Sequence, residues 1–283
     1  MLKHPMQDLE SWVQFFSNSE LPVLRHTKRQ LEEARANIQH VSGRDITRIV
    51  LHDPLMVVKV LAYIQPFRSR RLSHDITTIA SAVMMLGIEP FFAHFDKLVT
   101  IEDMLKDENS QALLGALNVI RRSQRAARYA HEWGIWRHDV NVEEVTVAAV
   151  LHDLAEVLLW CLAPHLALDI RGLQQADANL RSAVAQERIL GVRLQDIQLG
   201  LCHIWHLPEL LVDLIDDSKD GHPRVRNVSL AVKLARHSAT SWQDAALPDD
   251  YKDIADLLHL SLDALKNKLG LDKETPPEPS QGL

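Results

Sequence analysis

The sequence predicts an all-α protein, a multi-helix bundle, and three observations support this prediction. The 283 residues include only 10 glycines and 12 prolines, fewer than the roughly 12% of average usage, and an all-β protein needs a turn every ~8–12 residues. Hydrophobic residues make up 46% of the chain, which is enough apolar surface to exclude a disordered chain. Apolar residues recur at three- and four-residue spacing, and no strand-like alternation is long enough to indicate a sheet.

Helix start and stop motifs divide the N-terminal part of the chain into short helices. Residues 42–45 (Ser-Gly-Arg-Asp) resemble a capping box, with Asp in place of the usual Glu, that opens a turn over 46–51. Asp53 is expected to cap the next helix, since Pro54 stands at its first position, where a missing N–H costs nothing. Gly87 suits the C-terminal end of a third helix. The apolar stripes of the last two helices are Val57, Val58, Val60, Leu61 and Ile64, then Ile76, Ile79, Ala80, Val83 and Leu86.

The C-terminal part is predicted to contain longer helices. Polar residues 106–110 mark a boundary between two lobes, and the basic stretch 68–71 (Arg-Ser-Arg-Arg) is expected to be an exposed loop. A helix over 141–163 has Asn141 as its cap and is apolar almost all round, which is typical of a helix surrounded by other helices. Further helices are expected at about 89–105, 111–133, 174–190, 194–205, 208–216, 225–238 and 249–269.

Charge and composition limit the compartment and the partners. The formal net charge is −7, so nucleic-acid binding would need a local basic patch and is not expected. Cys161 and Cys202 lie in apolar stretches, as buried thiols in a reducing compartment do. The first residues lack the apolar core of an export signal, and no window reaches the ~18 apolar residues of a membrane span. The nearest window, 145–163, is interrupted by three ionisable residues. We therefore expect a cytoplasmic protein without membrane contact.

The adjacent residues His152 and Asp153, in the middle of that apolar helix, are the main candidates for chemistry. An imidazole and a carboxylate suit several divalent metals, but a working site needs three or more ligands. The alternative is structural, with Asp153 accepting hydrogen bonds from a neighbouring helix N-terminus and His152 bonding a backbone carbonyl. The residues themselves leave both alternatives open.

Five motifs occur in an order and at spacings that resemble one known family. They are Leu-Pro at 21–22 opening a helix to 32; His-Asp-Pro-Leu at 52–55, followed by Leu-Ala-Tyr-Ile-Gln at 61–65; 79–87, ending in Leu-Gly; Val-Leu-His-Asp-Leu-Ala at 150–155; and Trp-His-Leu-Pro at 205–208. Together they resemble the HDOD (HD-related output) domain, a divergent branch of the HD superfamily of metal-dependent phosphohydrolases. Gln65 stands where the family usually has Asn, and Ala155 stands where it has Gly.

The resemblance implies a division of the chain. We expect an N-terminal extension at 1–20, an N-terminal helical lobe at 21–105, an HD-like helical bundle at 106–270 and a disordered tail at 271–283. A single HDOD-type domain would cover about 21–238.

The resemblance also implies a metal-ligand set that this chain lacks in part. Catalytic HD enzymes add a His from the preceding helix and an Asp from a later one. The corresponding stretches here are 121–125 (Arg-Arg-Ser-Gln-Arg) and 230–233 (Leu-Ala-Val-Lys), which supply neither, and the arginines would repel a cation. His152 and Asp153 are therefore expected to be a remnant pair, with His131, His203 and His206 as outside candidates for displaced ligands. No catalytic residue and no cofactor are predicted.

A basic stripe is the second candidate site. Arg121, Arg125 and Arg128 share a helix face at i, i+4 and i+7, where they could contact an acidic partner or a phosphate, including that of a nucleotide second messenger. The alternative is a solvated face paired with neighbouring acids.

Two functional hypotheses follow from the resemblance. The first is a non-catalytic bacterial signalling module that acts through protein contacts, with cyclic di-GMP or two-component pathway members among its partners. The second is a divergent phosphohydrolase that uses a divalent metal at His152 and Asp153.

Overall fold

The computed structural model describes residues 1–67, 75–108, 110–139, 141–177 and 180–271. Regular structure in these ranges is helical apart from one isolated β-bridge between Val23 and Thr100, which confirms the all-α prediction. The α-helices are α1 Leu9–Asn18, α2 Arg25–Ala36, α3 Gly43–Leu51, α4 Pro54–Ile64, α5 Ile79–Leu86, α6 Ile88–His94, α7 Ile101–Met104, α8 Ser110–Trp136, α9 Val142–Leu151, α10 Leu154–Leu162, α11 Pro164–Ala176, α12 Ser182–Leu190, α13 Leu194–Ile204, α14 Glu209–Ile215, α15 Pro223–His237, α16 Leu247–Leu258 and α17 Leu262–Leu269. Single 3₁₀ turns occupy Ile38–His40, Gln65–Phe67 and Asp217–Lys219.

The two predicted N-terminal helix caps of the N-terminal lobe are confirmed, as is Gly87 at the C-terminal end of α5. Ser42 and Asp45 form both hydrogen bonds of a capping box at the start of α3. Asp53 caps α4 by accepting from the N–H groups of Leu55 and Met56, and it also accepts from the Leu24 N–H at 2.7 Å. Because Leu24 is the N-cap of α2, this one buried carboxylate fastens the starts of two helices together.

The 27-residue helix α8 is the axis of the C-terminal bundle. It packs against α9, α10, α11 and α15. One close contact depends on a glycine, since a Cβ at Gly115 would lie 2.5 Å from the Trp160 ring of α10. The N-terminal lobe joins the bundle through packing of α4 on α9 and through a 2.8 Å hydrogen bond from the Thr77 hydroxyl to Glu144.

Residues 1–20, which the sequence analysis assigns to an extension, contain α1, and this helix packs on α13. Trp12 and Phe16 are both fully buried, and the Trp12 indole N–H donates to the Leu190 carbonyl at 3.1 Å. A Cβ on Gly200 would lie 2.6 Å from the Val13 side chain, so the two helices touch closely at this point.

Four of the helices predicted as continuous are interrupted, and those predictions are wrong in that respect. The segment 89–105 divides into α6 and α7, 141–163 into α9 and α10, and 249–269 into α16 and α17. In the last case His259 adopts a left-handed conformation with φ 52° that ends α16, and Ser261 caps α17. In place of one helix over 174–190, α11 begins at Pro164 and ends at Ala176, and α12 follows from Ser182.

Two predicted segments fall outside the described residues: the basic loop at 68–71 and all but the first residue of the tail at 271–283. The segment Val142–Leu162 is long and apolar enough to cross a membrane by length and composition. Within its most apolar 18-residue window, 83% of the residues are nevertheless buried inside the protein, as expected of a segment surrounded by other helices.

Candidate functional site

His152 and Asp153 occupy the break between α9 and α10, where the backbone leaves the helical path. Gln198 of α13 compensates for the lost helical bonds, because its side chain accepts from the Ala155 N–H at 2.8 Å and donates to the Leu151 carbonyl at 3.0 Å. Since Gln198 is 1% exposed, water cannot substitute for these bonds. At this break, both side chains of the His-Asp pair point toward a polar core that lies between α8, α13 and α15.

The Asp153 carboxylate is held by two arginines from different helices. Arg122 of α8 donates to Oδ2 through Nε at 2.9 Å and Nη2 at 2.7 Å, and Arg236 of α15 donates to Oδ1 at 3.0 Å. Arg122 also donates to Glu156 at 2.6 Å. Burial alone would raise the pKa of Asp153, but the charges of Arg122 and Arg236 hold that pKa well below its usual range. The carboxylate is therefore ionised and paired on both oxygens.

His152 bridges two carboxylates. Its Nδ1 lies 3.1 Å from Asp153 Oδ1, and its Nε2 lies 3.2 Å from Asp217 Oδ1 in the turn after α14. Burial alone would lower the pKa of His152, but the hydrogen bonds to Asp153 and Asp217 outweigh it and raise the pKa to about 9. At neutral pH the imidazole is therefore protonated, and both of its nitrogens donate.

These residues do not fit a divalent metal ion. A metal needs an accessible imidazole lone pair and a free carboxylate oxygen, whereas here both nitrogens of His152 contact carboxylates and arginines occupy both oxygens of Asp153. Across the part of the chain that the structure describes, no three His, Cys, Asp or Glu side chains are grouped so as to hold a metal. The guanidinium of Arg122 supplies at Asp153 the positive charge that a cation would supply in a metal site.

The three outside candidates lie apart from this cluster. His131 is exposed and its Nδ1 lies 3.1 Å from the Thr146 hydroxyl. His203 and His206 are exposed at the end of α13 and in the turn that follows it. None of the three joins His152 and Asp153 in a ligand group within the described ranges.

The predicted basic stripe does not converge on one point. Arg121 is exposed and lies 3.4 Å from Asn118, and Arg128 is exposed with its guanidinium 5.5 Å from the Tyr129 ring centroid. Arg125 turns inward and donates to the Ala235 carbonyl at 2.5 Å.

Sequence reasoning did not single out the residues that complete the site, namely Arg236, Glu156, Asp217 and Gln198. The only local indication was Arg122, which occurs in the stretch aligned with the missing histidine ligand. Glu156 follows Asp153 by three residues in the first turn of α10, whereas Arg236, Asp217 and Gln198 lie on separate elements, and their approach to the pair becomes visible only in three dimensions.

Comparisons with known proteins agree with this fold. The family model of the HDOD domain matches residues 21–220. The crystal structure of a virulence factor from Campylobacter jejuni is similar, with a TM-score of 0.66 and 21% identity over 93% of this chain and 97% of that one. A crystal structure of the MmoQ response regulator from Methylococcus capsulatus has a TM-score of 0.63 and 14% identity over 85% of this chain and 98% of that one.

No curated protein sequence matches the chain at a significant level. At these identities, the two solved structures establish the fold alone. The family model covers well over half of the chain, from the motif that precedes α2 to the turn after α14. The chain therefore belongs to the HDOD domain family.

Proposed function

We propose that this protein is a non-catalytic signal-transduction module of the bacterial cytoplasm, which regulates its targets through protein contacts. One structural neighbour is named as a response regulator and another as a virulence factor, and both names are compatible with a regulatory role. Members of two-component or cyclic di-GMP pathways are the partners that we propose for it.

The main support for a non-catalytic function is the pairing of the Asp153 carboxylate with Arg122 and Arg236, at distances of 2.7–3.0 Å. A hydrolase of this fold would need Asp153 as a metal ligand. Releasing it would leave Arg236 without its carboxylate partner and Arg122 with Glu156 alone, and separating Asp153 from the buried Arg122 costs several kcal/mol. The cluster is therefore stable as an ion-pair network and unfavourable as a metal centre.

Metal analysis and hydrolysis assays test this proposal together. Protein purified without chelators is expected to contain much less than one equivalent of any divalent metal. It should hydrolyse p-nitrophenyl phosphate and bis(p-nitrophenyl) phosphate, with Mn²⁺ or Fe²⁺ added, no faster than its Asp153→Asn variant does. Stoichiometric metal and metal-dependent turnover in the wild type, both lost in Asp153→Asn, would contradict it and favour the phosphohydrolase.

Signalling by contact is tested by affinity purification from the native bacterium followed by chemical cross-linking and mass spectrometry. A regulatory partner should be recovered at a fixed stoichiometry, and the purified protein should compete for it. Failure of untagged protein to compete for any recovered partner would count against the contact mechanism.

A further inference from the structure

A cavity of about 210 Å³ lies beside the ion-pair cluster, between α8, α10, α11, α12 and α15. Arg122, Arg171 and Arg236 line it, and we call it the arginine pocket. A second cavity of about 280 Å³ adjoins it, because Glu156, Gln186 and Arg236 line both. The two cavities together give a phosphate-sized recess with room beside it for an organic group.

The charge of the arginine pocket favours an anion. Its wall carries three guanidinium groups and one carboxylate, that of Glu156. Within the described residues, Arg122 donates hydrogen bonds only through Nε and Nη2, and Arg236 donates only through Nη2. Arg171 donates only through Nη1, to Gln111 at 3.3 Å. The remaining guanidinium donors have no hydrogen-bond partner there, and such planar forks match the oxygens of a phosphate group.

Other groups on the wall suit the organic part of such a ligand. Arg171 lies over the Trp160 ring, with its guanidinium carbon 5.7 Å from the ring centroid, and a guanidinium near an aromatic ring can also contact a base. The side chains of Asn118 and Gln186 add neutral donors and acceptors. The cavity is smaller than the roughly 300–1,000 Å³ that encloses drug-sized ligands, which limits the enclosed part to about a phosphate and a sugar.

We propose that the arginine pocket binds the phosphate group of a small phosphate ester no larger than a mononucleotide. The inference rests on the proposed non-catalytic function, because a hydrolytic site would hold the same anion as a substrate. Arg236 is the less constrained partner of Asp153, since its side chain is 38% exposed and it makes a single hydrogen bond to that carboxylate. A bound phosphate would compete with Asp153 for this arginine and so couple ligand binding to the packing of α15 on α8.

Isothermal titration calorimetry with three probes tests the proposal: inorganic phosphate, ribose 5-phosphate and guanosine monophosphate. Wild-type protein is expected to bind at least one probe at millimolar concentration or below. Arg171→Gln and Arg236→Gln should each weaken that binding about 10-fold or more, the effect of losing one charged hydrogen bond. Arg188→Gln is the matched control, because Arg188 is exposed on α12 and lines neither cavity.

The outcomes separate this proposal from the previous one. If inorganic phosphate binds as tightly as guanosine monophosphate, the result supports phosphate binding in the arginine pocket and indicates that the organic group lies outside it. No binding of any probe, or an equal loss in Arg188→Gln, would overturn the proposal while leaving the non-catalytic function intact. Metal-dependent release of phosphate from a bound ester would instead contradict the non-catalytic function.

Discussion

Arg122 and Arg236 approach the Asp153 carboxylate from α8 and α15, and the side chains of Arg122 and Asp153 are 15% and 6% exposed. Two charges in such a site have lost most of their hydration, so each depends on the other to offset that cost. The His-Asp pair is consequently part of the structural core, although Asp153 accepts from two arginines in place of a helix N-terminus, and His152 contacts two carboxylates in place of a backbone carbonyl.

Replacing Asp153 by Asn should therefore destabilise the protein strongly. Removing the negative charge leaves Arg122 and His152 charged and buried, and we expect a loss of about 3–5 kcal/mol in the free energy of unfolding. Urea denaturation of wild type and variant measures it. The matched control is Asp196→Asn, which breaks an ion pair to the largely exposed Arg193 and should cost less than about 1 kcal/mol. Equal losses in the two variants would show that burial of the cluster has no energetic consequence.

His152 gives the protein a pH-dependent stability. Its pKa is about 9 in the folded protein and about 6.5 in an unfolded chain. Because the folded pKa is the higher one, the stabilisation is complete below about pH 6.5 and is lost as the pH rises through about 9. The expected loss is on the order of 3 kcal/mol.

Urea denaturation between about pH 6 and pH 10 measures this slope. His152→Gln should be less stable than wild type at neutral pH and should lack most of the slope. The exposed His131 provides the control, since His131→Gln should keep the wild-type slope. A slope in His152→Gln as steep as that of wild type would assign the pH dependence to another group.

The starts and ends of the helices show which structural features could be predicted from the sequence. Ser42, Asp53 and Gly87 were predicted correctly as caps because capping depends on residues within one turn of the chain. The breaks at 95–100 and at His152 were not predicted, because the interrupted helices are stabilised by contacts from distant elements, such as Gln198 at the second break. The same limit applies to the site, where Arg236 and Asp153 are 83 residues apart.

The close contact between α8 and α10 can be tested with two glycines. Gly115→Ala places a Cβ 2.5 Å from the Trp160 ring, so the ring or the helix must move. This displacement should lower the free energy of unfolding by about 1–3 kcal/mol in spite of the better helix propensity of alanine. Gly172 lies inside α11 with no atom within 4 Å of a Cβ, so Gly172→Ala should stabilise by up to about 1 kcal/mol. Thermal unfolding of the two variants should therefore shift in opposite directions. A shift in the same direction would mean that Trp160 moves away without cost.

At the scale of the whole molecule, helices from both ends of the described chain complete the bundle. The helix α1 packs on α13, and α16 packs on α15. Packing of α4 on α9 and the Thr77–Glu144 hydrogen bond link the N-terminal lobe to the same core. The family model begins at residue 21, so α1 is outside the matched region and yet contributes two fully buried aromatic side chains.

The contribution of α1 is best tested at Trp12, which is fully buried and bonds the Leu190 carbonyl at the end of α12. Trp12→Ala should cost about 3–5 kcal/mol and lower Tm on the order of 10 °C, because a large cavity opens between α1 and the bundle. Met84→Ala is the control, since this large apolar side chain is 82% exposed and its removal should change stability by about 0.5 kcal/mol or less. A Tm unchanged by Trp12→Ala would mean that residues 1–20 are an extension on which the bundle does not depend.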